Sequence, residues 1–335
     1  MKQLIRALTD IIGPSSYEEL VADYIEKILK KNKTLEIRRD AMGNLIARRK
    51  GNGKKIMLAA HMDEIGFMVK HIDKNGFLRF AVVGGIFNHN IIENHVKFTN
   101  GVEGVIGIEP KSFNWKDVPA AEKMFIDIGA KSRAEAEKLV SIGSLAGMKA
   151  TFVDMGKRIS TKTLDDRIGC AMLMEIAKQD IKGKNDIYFV FTTQEEVGLR
   201  GAKTSAFGIS PDFAIAIDVT DTGDLPESHI MEVSLGKGPA IKVMDAGMVV
   251  RKPVIDFMKE TAEKNKIPYQ LEILQGGSTD AMAIQTNKDG VLAGVISIPT
   301  RYIHSQAEMC DMDDVENGTK LIKEMVEIDL SKRGF

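Results

Sequence analysis

The segment Lys55-Ile-Met-Leu-Ala-Ala-His-Met-Asp63 decides the fold, because an apolar run ends directly at two side chains that can bind metal. Short apolar runs of this kind are typical of buried strands in an α/β sheet. Such sheets bind ligands in the crevice outside the carboxyl ends of their strands. We therefore expect His61 and Asp63 to lie at the binding edge of a sheet.

Three further apolar runs are also followed by carboxylate or imidazole side chains. Four strand ends that deliver such groups to one edge indicate a metal site, and chance scatter is the weaker interpretation. The further runs, with the residues that follow them, are 186–194 with Glu195 and Glu196, 212–217 with Asp218, and 291–299 with His304.

The composition is that of an ordinary globular protein. At 335 residues the chain exceeds the usual single-domain range, so we expect two domains. Lys plus Arg number 46 against 47 Asp plus Glu, and this balance predicts neither a nucleic acid nor an anionic membrane as partner. The isolated cysteines Cys170 and Cys310 favour a reducing compartment, and no run is as long as a membrane span. We predict a soluble, cytoplasmic protein.

The pattern along the chain predicts an α/β fold, a mixed sheet flanked by helices, into which a small β-rich domain is inserted. Helical and strand-like periods alternate at both ends of the chain. Between them, hairpin signals at residues 74–76 and 100–101 separate short strand-like runs. We therefore predict a discontinuous catalytic domain of residues 1–69 and 159–335, and a β-rich insertion of residues 70–158.

Two predicted helices begin next to polar side chains that can cap a helix or bind metal. The first runs from about Ser16 to Lys31, and Ser15 and Ser16 are its candidate caps. The second, Arg167–Lys178, directly follows a pair of aspartates. One of the two can cap this helix while the other faces the metal site, and Arg167 can pair with a neighbouring carboxylate.

The candidate residues offer imidazole and carboxylate groups without thiolate. This set suits Zn²⁺, Co²⁺ or Mn²⁺, and open sites of this type are usually catalytic. Five ligands can hold two ions about 3.5–4 Å apart if one carboxylate bridges them, an arrangement that activates water. The candidates are His61, Asp63, Asp165, Asp166, Glu195, Glu196, Asp218 and His304.

Spacing assigns some roles and leaves others open. His61 and Asp63 point to the same side of an extended segment, so Asp63 can accept the second imidazole N–H of His61. Glu195 and Glu196 point to opposite sides, so one can bind metal while the other acts as general base. Each residue taken singly has a simpler interpretation. A lone histidine is more often structural than a metal ligand, an aspartate before a helix is most simply a cap, and the two glutamates could form a charged loop.

At these residues the chain resembles the M42 family of metallo-aminopeptidases, within the wider group of dinuclear exopeptidases. Five segments carry the resemblance, and they occur in the family's order over most of the chain. They are Ala60-His-Met-Asp-Glu-Ile-Gly66, Thr163-Leu-Asp-Asp-Arg-Ile-Gly169, Gln194-Glu-Glu-Val-Gly198, Ala216-Ile-Asp-Val-Thr220 and Ile298-Pro-Thr-Arg-Tyr-Ile-His-Ser305.

The resemblance implies a role for each residue, and a fold like that of the dinuclear exopeptidases. It implies that two divalent ions, Zn²⁺ or Co²⁺, are bound in each subunit. It further implies that the insertion is a dimerisation domain and that the subunits form dimers and a dodecamer. The implied roles are a bridging ligand for Asp165, one ion site completed by His61 and Asp218, the other completed by Glu196 and His304, a general base for Glu195, and orientation of His61 for Asp63.

We therefore expect a hydrolase that removes N-terminal residues from peptides. A glycosidase is the first alternative, because relatives in this family are sometimes labelled endoglucanases. Glycoside hydrolysis needs two carboxyl groups about 5–10 Å apart across the sugar, which the adjacent Glu195 and Glu196 fit poorly. A non-catalytic metal-binding assembly protein is the second alternative, and it would need no separate general base.

Overall fold

The computed structural model describes residues 1–112 and 117–333. It contains a large mixed sheet flanked by helices and a small closed β-barrel, which confirms the predicted fold class. Four residues of the predicted insertion, 113–116, and the last two of the predicted catalytic domain, 334–335, lie outside the described residues.

The described residues form eight α-helices and seventeen strands. The helices are α1 (Lys2–Asp10), α2 (Glu19–Leu29), α3 (Arg133–Ala136), α4 (Leu164–Ala177), α5 (Arg200–Ile209), α6 (Lys252–Lys264), α7 (Asp280–Gln285) and α8 (Met312–Glu327). The strands are β1 (Leu35–Arg39), β2 (Leu45–Arg49), β3 (Lys55–His61), β4 (Gly66–Ile72), β5 (Leu78–Val83), β6 (His95–Phe98), β7 (Glu103–Ile108), β8 (Met124–Asp127), β9 (Leu145–Met148), β10 (Val153–Met155), β11 (Arg158–Thr161), β12 (Asp186–Thr192), β13 (Phe213–Thr220), β14 (Ala240–Met244), β15 (Gln270–Ile273), β16 (Leu292–Arg301) and β17 (Glu308–Asp311).

The large sheet has a parallel centre. Its main order is β1-β2-β12-β3-β13-β16-β17-β11-β10, with β14 and β15 paired beside β16. Strands β12, β3, β13 and β16 pair in parallel, while β2, β17 and β11 add antiparallel edges. The carboxyl ends of the four central strands therefore meet at one edge, as the sequence predicts.

Helices cover both faces of this sheet. Every residue of β12 and β13 is buried, which requires a layer on each side. Helix α4 packs on β3 and β13 together with α1, α2 and α8, and α5 and α7 pack together against the same central strands. Each fully buried aliphatic or phenyl side chain in these layers contributes about 1.5–3 kcal/mol to stability. This burial holds the strand ends, and hence the site, in fixed positions.

The six barrel strands have a hydrophobic core of their own. They close in the order β4-β5-β8-β7-β6-β9 and span residues 66–148. Phe67 and Phe80 pack edge to face inside, with ring centroids 5.2 Å apart. Strand β10 pairs with β11 in the large sheet and not with the barrel. The domain boundaries at residues 70 and 158 stay a prediction.

The predicted start of the first long helix is wrong. Helix α2 begins at Glu19, its N-cap is Glu18, and no side chain caps it. Ser15 and Ser16 are therefore not caps, because both lie before the N-cap in a segment that packs against the functional site. The strand that carries Asp218 is also longer than predicted, since β13 continues to Thr220.

Among the described residues, no helix has both the length and the apolar character that crossing a membrane requires.

Helix α5 provides a test of how tightly the segment before Glu195 is packed. A Cβ on Gly201 would lie 2.4 Å from the Thr193 carbonyl oxygen and 2.2 Å from Asn44 Oδ1, whereas a Cβ on Gly208 would meet nothing within 4 Å. We expect Gly201→Ala to destabilise the fold by about 1–3 kcal/mol through overpacking. Gly208→Ala, the matched control, should stabilise it by roughly 0.5–1 kcal/mol. Thermal unfolding measures both, and equal melting temperatures would contradict this packing.

Candidate metal centre

The ends of strands β3 and β12 lie side by side because of the register in which the two strands pair. His61 is the last residue of β3, and it pairs with Thr192, the last residue of β12. Glu195 and Glu196 follow Thr192 by three and four residues, so they leave the sheet beside His61. His61 and Glu195 are buried, and the side chain of Glu196 is 6% exposed.

The other two strands complete the same edge. Asp218 lies within β13 and is in register with Ser297 of β16, so its carboxylate is close to the strand end but still held by the sheet. His304 follows the end of β16 by three residues and has φ of 61°, a left-handed conformation that is uncommon for histidine. The turn places the His304 ring next to Asp165 and Glu196.

Asp165 lies between the two histidines and directs one oxygen to each. Its Oδ1 is 2.9 Å from His61 Nε2, and its Oδ2 is 3.3 Å from His304 Nε2. Asp218 Oδ1 is 4.0 Å from the same His61 nitrogen, and Glu196 Oε1 is 3.3 Å from the same His304 nitrogen. These nitrogen and oxygen atoms therefore form two groups that share the carboxylate of Asp165.

These spacings fit the coordination of small divalent ions. Donor atoms about 2.0–2.2 Å from a tetrahedral ion lie roughly 3.3–3.6 Å from one another. The two contacts of His304 have that spacing, and the two contacts of His61 lie on either side of it. Atoms of His61, Asp165 and Glu196 all lie within 4.8 Å of one another, so these three side chains form a possible metal site.

Asp63 lies at the centre of the hydrogen bonds that surround His61. The nearest partner of His61 Nδ1 is the backbone oxygen of Asp63, at 3.1 Å, whereas its carboxylate Oδ1 is 3.5 Å away. The carboxylate accepts hydrogen bonds from the Ser15 hydroxyl at 2.6 Å and from the Glu195 and Glu196 backbone N–H groups at 3.0 and 3.2 Å. Asp63 thus holds the two glutamates in place as well as the histidine.

The two neighbouring aspartates have different surroundings. Asp165 and Asp166 have non-helical backbone angles, and the peptide bond between them is cis. Asp166 accepts the Gly169 N–H at 3.0 Å, so it caps the regular part of α4, and it accepts the His61 N–H at 3.1 Å. Asp165 is the one that faces the histidines, an alternative that the spacing alone left open.

Arg167 is buried beneath the site. Its guanidinium donates to the carbonyl oxygens of Met62 at 2.7 Å and Leu8 at 2.6 Å. A third nitrogen lies 3.8 Å from Glu64 Oε1, which is the carboxylate pairing that the sequence suggested. Glu64 also pairs with the buried Lys162. Both cations therefore lie beside Glu64, while the buried Lys242 acts on Asp218 and partly opposes the rise in its pKa.

The carboxylates of the site are poorly compensated by positive charge. Burial, followed by repulsion from Asp165, raises the pKa of Asp218 well above its usual range. Burial also raises the pKa of Glu195 well above its usual range, and repulsion from Asp218 and Glu196 adds to the increase. The pKa of Glu196 is raised as well, again mainly by burial. A cluster of this kind is suited to binding cations.

The pKa values of the two histidines are also raised, but by neighbouring carboxylates and against the effect of burial. Burial alone would lower the pKa of His304, but its contacts with Asp165 and Glu196 outweigh this and raise it to about 12. For His61, the contacts with Asp165 and Asp63 likewise overcome burial and raise the pKa well above its usual range. Both rings therefore lie in strongly negative surroundings that a divalent cation can also satisfy.

Sequence reasoning missed two buried glutamates. Glu18 accepts the backbone N–H groups of Ser16 at 2.8 Å and Gln194 at 3.0 Å, and burial, with repulsion from Asp63, raises its pKa to about 7. Glu308 accepts backbone N–H groups beside the ligands, and burial raises its pKa to about 8. Neither glutamate follows an apolar run that would have indicated a site.

Comparisons with known proteins place this chain among the aminopeptidases, which are hydrolases. Residues 43–321 match the family model described as M42 glutamyl aminopeptidase. The match extends over most of the chain, and the chain belongs to this family. The resemblance read from the sequence is therefore confirmed, and the possible metal site agrees with the metal dependence of M42 peptidases.

Relatives of this chain have several names. The lysyl aminopeptidase of Pyrococcus furiosus is 39% identical over 97% of this chain and 96% of its own. The structure of the Pyrococcus horikoshii TET1 peptidase, described as able to form a tetrahedron or a large octahedral shell, matches with a TM-score of 0.88 and 35% identity over 97% of this chain and 98% of that one. A Thermotoga maritima structure named as an endoglucanase matches with a TM-score of 0.82 and 35% identity over 96% of both chains.

Proposed function

We propose that this chain is a two-metal aminopeptidase that removes N-terminal residues from peptides. The observation that carries this proposal is the position of Asp165, whose two carboxylate oxygens face two different histidines. A carboxylate in that position suits a bridge between two ions, and the donor set of imidazole and carboxylate suits Zn²⁺ or Co²⁺.

The remaining ligands divide between the two ends of this bridge. His61 and Asp218 would complete one ion site, and His304 and Glu196 the other. When bound, two such ions activate a water molecule and polarise the scissile carbonyl group. The supporting observations are the paired nitrogen–oxygen distances of 2.9 and 4.0 Å around His61 and of 3.3 and 3.3 Å around His304.

Glu195 is proposed as the general base. It would take a proton from the attacking water and pass it to the leaving amine. Burial raises the pKa of Glu195, and a raised pKa makes a carboxylate a stronger proton acceptor. Asp63 would orient His61 and also hold the backbone of Glu195, since its carboxylate accepts the Glu195 N–H.

The glycosidase alternative is favoured by one observation, the endoglucanase name of a similar structure. The chemistry of the site supports it less well. Glu195 and Glu196 are adjacent in the chain, whereas a glycosidase places its two carboxyl groups across the sugar. His61 and His304 would have no role in such a reaction. A non-catalytic assembly protein would leave Glu195, buried beside the ligands, without a role.

We also propose that the subunits associate into dimers and a dodecamer in the cytoplasm. The TET1 peptidase, which can assemble into a tetrahedron or a large octahedral shell, shares the fold over nearly the whole chain. The barrel contributes none of the proposed ligands and carries exposed apolar side chains, among them Val82 and Ile142. Such side chains suit a contact between subunits. The cytoplasmic location rests on two buried cysteines, which are both free.

Two substitutions separate the roles of base and bridge. Glu195→Gln keeps the shape of the side chain but removes the base, so hydrolysis should fall by at least ~10²-fold while both ions stay bound. Asp165→Asn removes a charged oxygen from the bridge, so occupancy should fall at both sites together. Metal analysis of the dialysed proteins and peptidase rates measure these effects.

Each variant serves as the control for the other. Near-wild-type turnover in the Glu195 variant would exclude it as the base. Loss of a single ion in the Asp165 variant would mean that Asp165 is an ordinary ligand and that the two sites share no bridge.

The class of substrate can be tested directly. An aminoacyl-p-nitroanilide should be cleaved, a chelator should abolish cleavage, and added Co²⁺ or Zn²⁺ should restore it. Acetylation of the substrate's α-amine should prevent cleavage, because an aminopeptidase positions its substrate through the free N-terminus. A soluble β-glucan should release no reducing sugar. Rapid cleavage of blocked peptides would indicate an endopeptidase, and chelator-resistant sugar release would indicate the glycosidase.

The barrel can be tested for its role in assembly. Because its strands span residues 66–148, replacing residues 67–147 by a short Gly/Ser linker leaves the large sheet complete. We expect the shortened protein to form smaller particles in light scattering, while circular dichroism confirms that the α/β part is folded. If the folded variant still formed the full assembly, the subunit contacts would have to lie on the large sheet and its helices.

A further inference from the structure

Glu308 lies where the two chain segments that carry the proposed shared ligands converge. It is the first residue of β17, and it pairs in register with Thr161 at the end of β11. The chain continues from Thr161 into the turn that carries Asp165. On its other side, Glu308 ends the loop that leaves β16 and carries His304. One residue is therefore adjacent to both segments.

The carboxylate of Glu308 binds both segments through their backbones. Its Oε2 accepts the Asp165 N–H at 3.0 Å, and its Oε1 accepts the His304 N–H at 2.9 Å. The side chain is 2% exposed, so water contributes little to this arrangement. Each oxygen serves a different N–H, and therefore only a group with two acceptor oxygens can make both bonds.

We propose that Glu308 is a positioning residue for the second ion site: it fixes the distance between Asp165 and His304. The inference rests on the proposed function, because it assumes that these two side chains share an ion. His304 has a left-handed backbone, a conformation that persists only where the surroundings hold it. The hydrogen bond to Glu308 is made at that same residue.

A purely structural role is the alternative, and the chain offers a matched control for it. Asp314, in α8, is also buried and also accepts two backbone N–H groups through separate oxygens, from Gly236 and Gly238, both at 2.7 Å. It contacts none of the proposed ligands. Asp314→Asn therefore removes the same kind of contact as Glu308→Gln, away from the site.

The experiment compares metal binding by the full-length wild type, Glu308→Gln and Asp314→Asn. Each protein is stripped with a chelator and titrated with Co²⁺, with calorimetry and the visible Co²⁺ spectrum as readouts. We expect the weaker of the two binding steps in Glu308→Gln to lose about 10–100-fold in affinity. The Asp314 variant should bind both ions as the wild type does, although both variants should melt at lower temperature.

The outcomes are distinguishable. Unchanged binding of both ions by Glu308→Gln would overturn the inference, and so would an equal loss of affinity in the Asp314 variant. If Glu308→Gln does not fold, Glu308→Asp decides: it keeps the charge but is one methylene too short to reach both N–H groups, so it should lose the same affinity. Normal binding by that variant would overturn the inference. A wild type that binds a single ion would instead refute the two-metal function.

Discussion

The constraint on which the site depends is that Asp165 must present its two oxygens to two histidines that come from distant parts of the chain. His61 belongs to β3 and His304 to the loop after β16, yet each ring nitrogen lies within 3.3 Å of the same carboxylate. Rings and carboxylate keep this geometry only if their backbones are fixed. The packed parallel strands fix the first histidine, and hydrogen bonds to buried carboxylates fix the rest.

Buried acidic side chains accept hydrogen bonds from backbone N–H groups at the site, and among them Asp166 accepts the N–H of His61. Glu18 holds Gln194, Asp63 holds Glu195 and Glu196, and Glu308 holds Asp165 and His304. An unpaired buried N–H group costs free energy, so each of these hydrogen bonds stabilises the loop that donates it as well as the buried carboxylate that accepts it. The result is an excess of negative charge around two histidines, which is the condition that favours binding of divalent cations.

The general architecture could be predicted because it depends on local patterns. Apolar runs marked the strands, and their carboxyl ends indicated where His61, Glu195 and His304 would meet. Capping could not be predicted in the same way: Ser15 and Ser16 had the spacing of caps, but Ser15 donates to Asp63, 48 residues away. That partner becomes available only when the N-terminal segment packs against the sheet, so long-range contact overrides local preference.

The sequence by itself determined the fold class, the family and the set of side chains near the edge of the sheet, because strand periodicity and motif order are local properties. Spacing left open which aspartate faces the histidines, the family resemblance implied Asp165, and only the tertiary structure shows the physical reason for that choice. Asp165 and Asp166 are adjacent and chemically identical, and the choice follows from partners far along the chain: Asp166 accepts the N–H of His61, while Glu308 accepts the N–H of Asp165. Such contacts between distant segments leave no pattern in the local sequence, since they exist only once the segments have packed together.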